Sequence, residues 1–138
     1  MALQVKLQKM KKTGHHDKWY GKVAKRQDVT LQQIAEVISQ KNSVTESDVY
    51  AVLKALVHEM KFFLQLGHTV KLDGFGYFHL TIESEMVDNQ SDYRLDEHVK
   101  RVKCKFVPSS HRVEGGKLSY YFCEGVELER EQAVVKDE

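Results

Sequence analysis

The sequence predicts an α+β fold, with two N-terminal helices packed on a small antiparallel β-sheet. Three features carry this reading: apolar residues at helical spacing from Val49 to Leu64, strict alternation in Val70–Ile82 and again in Arg101–Phe106, and an Asp73-Gly74 turn. In the helical run, Val49, Val52, Leu53, Leu56, Val57, Met60, Phe63 and Leu64 hold one side of a long helix. Thr45 with Asp48 supplies its cap, and Gly67 its stop. A shorter helix precedes it, over about residues 31–41. Thr30 and Gln33 form a capping box, Leu31, Ile34, Ala35 and Ile38 recur at i, i+3, i+4 and i+7, and Asn42-Ser43 breaks the run.

After Gly67, Val70 and Leu72 alternate with Thr69 and Lys71, and Phe78, Leu80 and Ile82 with Tyr77, His79 and Thr81, which makes a β-hairpin about Asp73-Gly74. Residues Glu83 to Glu97 are polar and acidic and read as an extended loop or mobile arm. Val102, Cys104 and Phe106 then alternate with Arg101, Lys103 and Lys105, a strand with one apolar and one cationic face, ended by Pro108. A short turn or helix is expected from Ser109 to Gly115, then a last strand with Leu118, Tyr120 and Phe122. At the other end, Leu3, Val5 and Leu7 alternate with Gln4, Lys6 and Gln8, and Trp19, Tyr20 and Val23 make a partner strand. The chain thus divides into an N-terminal β extension (1–29), a main domain (30–123) and an acidic tail (124–138) expected to fray.

With 138 residues, of which 30% are charged and 41% hydrophobic, and a single proline, the chain has the makings of one ordinary folded domain with appendages. The net charge of +1 conceals a segregation. From Met1 to Arg26 stand Lys6, Lys9, Lys11, Lys12, Lys18, Lys22, Lys25 and Arg26 against Asp17 alone; from Val99 to Lys117 stand Lys100, Arg101, Lys103, Lys105, Arg112 and Lys117 against Glu114. Acids gather in Glu83–Glu97 and after Glu124, so local basic fields survive the near-zero sum. No apolar run approaches the roughly 18 residues of a bilayer span and nothing resembles a signal peptide, which predicts a cytoplasmic protein.

The chemistry that the sequence excludes is as informative. Gly74-Phe75-Gly76 joins two strands and lacks the Lys-Ser/Thr of a phosphate loop. His15-His16-Asp17 is the one histidine cluster, without the distant ligands of a metal site. Cys104 and Cys123 stand apart and are expected to be reduced, half-buried thiols. No nucleophile–base grouping emerges, so neither an enzyme nor a cofactor is expected. What remains is the polar side of the sheet, where period-two geometry sets Lys71, Tyr77, His79 and Thr81 beside Arg101, Lys103 and Lys105. Such a platform fits phosphates without reading bases; a solvated sheet face whose lysines guard against edge pairing is the plain alternative.

The order of two helices, a glycine, a hairpin, an acidic stretch and a returning basic strand resembles the HU/IHF family of bacterial nucleoid proteins. The local match is Gly67-His68-Thr69-Val70-Lys71-Leu72-Asp73-Gly74-Phe75-Gly76-Tyr77-Phe78, directly after the long helix, within a resemblance that covers about residues 30–123. The N-terminal segment looks like that of HU-related variants with an added strand. The resemblance implies an intertwined homodimer, with Val52, Leu56, Phe63, Phe75 and Phe78 in its shared core. It implies architectural, weakly sequence-specific binding of duplex DNA in the nucleoid, with DNA condensation, through Lys71, Arg94, Arg101, Lys103, Lys105 and Lys117. The chain departs from the family in its arm, where Glu83, Glu85, Asp88, Asp92, Asp96 and Glu97 outnumber Arg94 and the wedging proline is missing, which argues against sharp kinking of DNA. A dimeric interaction module that has lost strong DNA binding is the second reading.

Overall fold

The computed structural model describes residues 1–11, 14 and 17–132. They form two compact units, one of Thr30–Phe122 and one of Met1–Val29 with the chain from Cys123 onward.

In the first unit, α1 spans Leu31–Lys41 and α2 spans Glu46–Gln65. The capping box closes as the sequence predicts: Gln33 N–H donates to Thr30 Oγ1 at 3.2 Å, and Thr30 N–H donates to Gln33 Oε1 at 2.8 Å. Thr45 Oγ1 accepts from Asp48 N–H at 3.3 Å, and Glu46 and Asp48 place negative charge at the positive end of the helix dipole. At the far end, Gly67 takes φ 92°, and His68 N–H folds back onto Phe63 O at 3.1 Å. A side chain would resist that left-handed turn.

The sheet of this unit has the order β3 (Val70–Leu72), β4 (Gly76–Ser84), β5 (Val99–Pro108), antiparallel throughout. Phe78 lies opposite Val70 on one side and Phe106 on the other. Its ring stacks on Phe106 at 4.6 Å, and Phe75 touches Phe78, Phe106 and Phe122 at 5.9, 5.6 and 5.6 Å between centroids. This aromatic group pins the hairpin against the returning strand. Gly76 permits it, because with φ 142° a Cβ there would fall 2.3 Å from Val107 O and 2.8 Å from the Phe106 ring.

Helix α2 packs on β3 and β4. The core is nevertheless very small: among the described residues the only buried hydrophobic side chains are those of Ala35, Val49 and Leu64. An open groove of about 730 Å³ runs between helices and sheet, lined by residues that include Ile34, Leu53, Leu56, Met60, Phe75 and Phe78. Val102 and Cys104, expected to face a core, are exposed, because β5 extends past the surface that the helices cover. Cys104 and Cys123 are both free and exposed rather than half-buried.

Three segments differ from the sequence expectation. The acidic stretch is not an extended arm, since its loop folds on itself through a 3-10 turn at Gln90–Asp92 and a short helix, α3 (Leu95–His98). Glu85 N–H donates to His98 O at 2.8 Å, Arg94 N–H to His98 Nδ1 at 2.8 Å, and the Tyr93 ring stacks on His98 at 5.4 Å. These contacts within one loop have no hydrophobic period, so composition alone does not reveal them. Between Ser109 and Gly115 the chain makes strand β6 (Ser110–Arg112), which pairs with β7 (Leu118–Tyr120) about Gly115-Gly116 at φ 89° and 80°. Phe122, expected in that last strand, lies in a 3-10 turn, Tyr121–Cys123.

The third difference lies in the second unit. Strand β1 (Ala2–Lys9) pairs antiparallel with β2 (Trp19–Val23), and on its other side it pairs in parallel with β8 (Glu127–Arg130). The tail expected to fray is therefore a sheet strand as far as Arg130, and Gln4 Nε2 donates across the pair to Glu129 Oε2 at 3.0 Å. The sequence cluster His15-His16 lies outside the described residues.

Gly76→Ala should lower stability by about 3 kcal/mol or more, because backbone strain adds to a collision with backbone atoms that cannot give way. Gly74→Ala, with φ 72° and open space around it, should cost only about 1 kcal/mol. Urea unfolding of both variants checks the ranking; equal losses would mean that close approach at Gly76 does not hold the β4–β5 register.

Candidate functional site

The β4–β5 ladder decides which side chains share a surface. Its register pairs Tyr77 with Val107, His79 with Lys105, Thr81 with Lys103 and Glu83 with Arg101, and on the other side of β4 Tyr77 faces Lys71. Directly opposed residues lie on the same face of a sheet, so Lys71, Tyr77, His79, Thr81, Arg101, Lys103 and Lys105 form one polar face. Lys71, Arg101, Lys103 and Lys105 are exposed. The Tyr77 and His79 rings lie 5.9 Å apart, and His79 Nδ1 is buried without a hydrogen-bond partner.

Glu83 is the member of this face that sequence reasoning assigned elsewhere, to the acidic arm. Its Oε2 accepts from Arg101 Nε at 2.6 Å and stands 3.3 Å from Lys103 Nζ. Those partners, Arg101 first and Lys103 second, hold the Glu83 carboxyl below the ordinary carboxylate range, so it is an anion at neutral pH. Next along the ladder, Lys100 Nζ stands 3.4 Å from Glu85 Oε1. All these groups are solvent-exposed, and exposed pairs of this kind hold each other weakly and are screened by salt. The pairing could have been found by counting back from a Phe78–Phe106 match, which sets Glu83 opposite Arg101.

Two of the expected cations lie elsewhere. Arg94 sits at the tip of the folded loop, where Nη1 is 3.4 Å from Glu97 Oε1. Lys117 lies in the β6–β7 turn, its carbonyl accepting from Val113 N–H at 2.9 Å. Of the five residues expected in a shared core, Leu56, Phe75 and Phe78 line the apolar groove. Val52 and Phe63 do not: Val52 is 66% exposed, and Phe63 packs its ring on Phe62 and His68.

The face offers fixed cations, hydroxyls and an imidazole at intervals of two residues, which suits a repeating anion. Among the described residues, no cluster of three or more His, Cys, Asp or Glu is placed to hold a metal ion, and no helix is long and apolar enough to cross a membrane.

Two solved structures are similar to parts of this chain. A cocrystal of Anabaena HU with DNA matches at 21% identity over 57% of this chain and 85% of that chain, with a TM-score of 0.41. A protein of Bacteroides vulgatus ATCC 8482, assigned as a bacterial DNA-binding protein, matches at 12% identity and a TM-score of 0.58 over 95% of this chain. The likeness to the Bacteroides protein is one of fold, and the present chain spans half the length of that protein. No curated protein matches by sequence. The family model describing an HU domain fused to a winged helix-turn-helix, an Ig or a glycine-rich motif matches residues 1–116, and the chain belongs to that HU family.

Proposed function

We infer that the chain is an architectural protein of the bacterial nucleoid, cytoplasmic and non-enzymatic, which binds duplex DNA as a homodimer without strong sequence preference. The observation that carries this reading is the row Arg101, Lys103, Lys105 on one face of β5, flanked by Lys71 and backed by an apolar face. Alternate strand positions are roughly 6.5–7 Å apart, so successive cations can meet successive phosphates along one DNA strand. Phosphate contacts position a protein and carry no sequence information, and the face has no element that would enter a groove to read bases. Arg94 and Lys117 are outlying contacts in this reading.

The homodimer rests on a separate argument. Three buried hydrophobic side chains do not sustain a folded unit of this size, whereas the groove presents a continuous apolar surface of the kind that a second copy covers. Leu56, Phe75 and Phe78 are its centre.

A second reading has an observation in its favour. Glu83 already occupies Arg101 and Lys103, and Glu85 occupies Lys100, as phosphates would. In that reading the chain is a dimeric interaction module whose basic strand is neutralised from within. The two readings differ in the salt dependence of duplex binding. With one Glu83 set against three cations, two net charges per protomer remain, so a dimer should give a slope of log affinity against log salt of about −4. Arg101→Gln/Lys103→Gln/Lys105→Gln should abolish most of that slope and weaken binding to every duplex alike. Glu83→Gln should raise affinity severalfold at low salt and steepen the slope. Fluorescence anisotropy with labelled duplex across a salt series measures all three; absence of duplex binding by the unaltered chain at low salt would establish the second reading.

Sedimentation should give twice the 16.0 kDa chain mass at micromolar concentration. Phe75→Ala should lower stability by about 3 kcal/mol and make the unfolding midpoint more dependent on protein concentration. A stable, folded monomer would overturn the dimer.

A further inference from the structure

The basic run at the start of the chain plays no part in the β3–β4–β5 face, and in the second unit it acquires a geometry of its own. β1 and β2 pair with Lys6 directly opposite Lys22 and Gln8 opposite Tyr20, so all four share one face. Lys18 stands two residues before Tyr20 and is tied to the ladder by the Met10 N–H to Lys18 O bond at 2.9 Å. Like charges opposed across a ladder repel. Among the described residues no carboxylate lies within ion-pair distance of Lys6, Lys18 or Lys22, and all three are exposed.

The acids of this face keep to its other edge. Glu127 and Glu129 lie on β8, Glu129 is engaged by Gln4, and Glu131 follows, its N–H donating to Val5 O at 2.8 Å. The face is thus split, cationic along β2 and anionic along β8, with β2 an edge strand among the described residues. Between Lys18 and Lys22 on that strand stands Tyr20, 41% exposed.

We propose that the β2 edge is a second nucleic-acid site, for an unpaired strand. Lys18 and Lys22, roughly 13 Å apart along the strand, reach phosphates about two nucleotides apart, Lys6 joins Lys22 so that a phosphate there relieves their repulsion, and the Tyr20 ring between them takes a base by stacking. An unpaired strand is the ligand because only an unstacked base can lay its face on a ring; a duplex would leave Tyr20 unused. The acidic β8 edge repels a polyanion and confines it to the β2 side.

The test uses the full chain and labelled oligo(dT) and oligo(U) of about 15 nucleotides, read by anisotropy. Binding of both is expected; a preference for one identifies DNA or RNA as the natural source. Lys6→Gln/Lys22→Gln should flatten the salt slope by roughly 0.7 for each phosphate that is no longer neutralised. Tyr20→Ala should weaken oligonucleotide binding about tenfold while leaving duplex binding unchanged, and Tyr20→Phe should preserve both. The Arg101→Gln/Lys103→Gln/Lys105→Gln variant should bind oligonucleotide as the unaltered chain does. Trp19, the chain's single tryptophan, adjoins Tyr20, so its emission in the unaltered chain should change during titration with oligo(dT) whether or not the variants fold. Unchanged Trp19 emission, or binding indifferent to Lys6, Lys22 and Tyr20, overturns the site. Oligonucleotide binding without duplex binding would uphold it and overturn the duplex reading; the reverse result would do the opposite.

Discussion

The register of β4 against β5 is the constraint on which the first unit depends. Side chains alternate faces along a strand, so a slip of one residue would set Phe106 on the face opposite Phe78 and bring Lys105 onto the aromatic side of the sheet. Two local features hold the register. Phe78 stacks on Phe106, and Gly76 lets the backbone at Val107 come closer than any side chain would allow. One set of hydrogen bonds therefore fixes both the aromatic group beneath the sheet and the row of cations above it. Whatever shifts this register disturbs stability and the charged surface together.

Charge on that surface is governed by the same pairing. Arg101 and Lys103 meet Glu83 because the ladder sets it beside them, and at neutral pH its lowered pKa keeps it charged. Such exposed pairs yield readily to a better competitor, and a DNA backbone brings a row of phosphates and releases counterions on binding. Within the proposed function, Glu83 thus sets a threshold of affinity rather than closing the site. Within the same proposal, a folded acidic loop without the wedging proline fits a protein that holds DNA lightly.

The elements with strong periodicity were legible in the sequence. The capping box at Thr30 and Gln33, the stop at Gly67 and the hairpin about Asp73-Gly74 each follow from local chemistry and stand where the pattern sets them. What escaped reading depends on partners remote in sequence or on contacts without a period. Glu127–Arg130 looks like a polar tail until β1 supplies its ladder, and the loop at Tyr93 and His98 closes through single hydrogen bonds and one ring stack. Val102 and Cys104 show the limit of alternation: the pattern identifies an apolar face but not whether anything within the chain is available to cover it. Of the candidate site, the cations on β5 were legible and their engagement by Glu83 was not, since that requires the register.

The parallel pairing of β1 with β8 has a kinetic consequence. Gln4 and Glu129 meet across 125 residues, so the sheet of the second unit cannot be finished until the chain has been synthesised past β8. Thr30–Phe122, whose contacts are more local, can form while β1 still lacks one neighbour. During that interval one side of β1 is an unpaired edge, open to the same strand of another nascent chain. Folding of this unit is therefore a race between β1 finding its own β8 and pairing with a strand of a sibling.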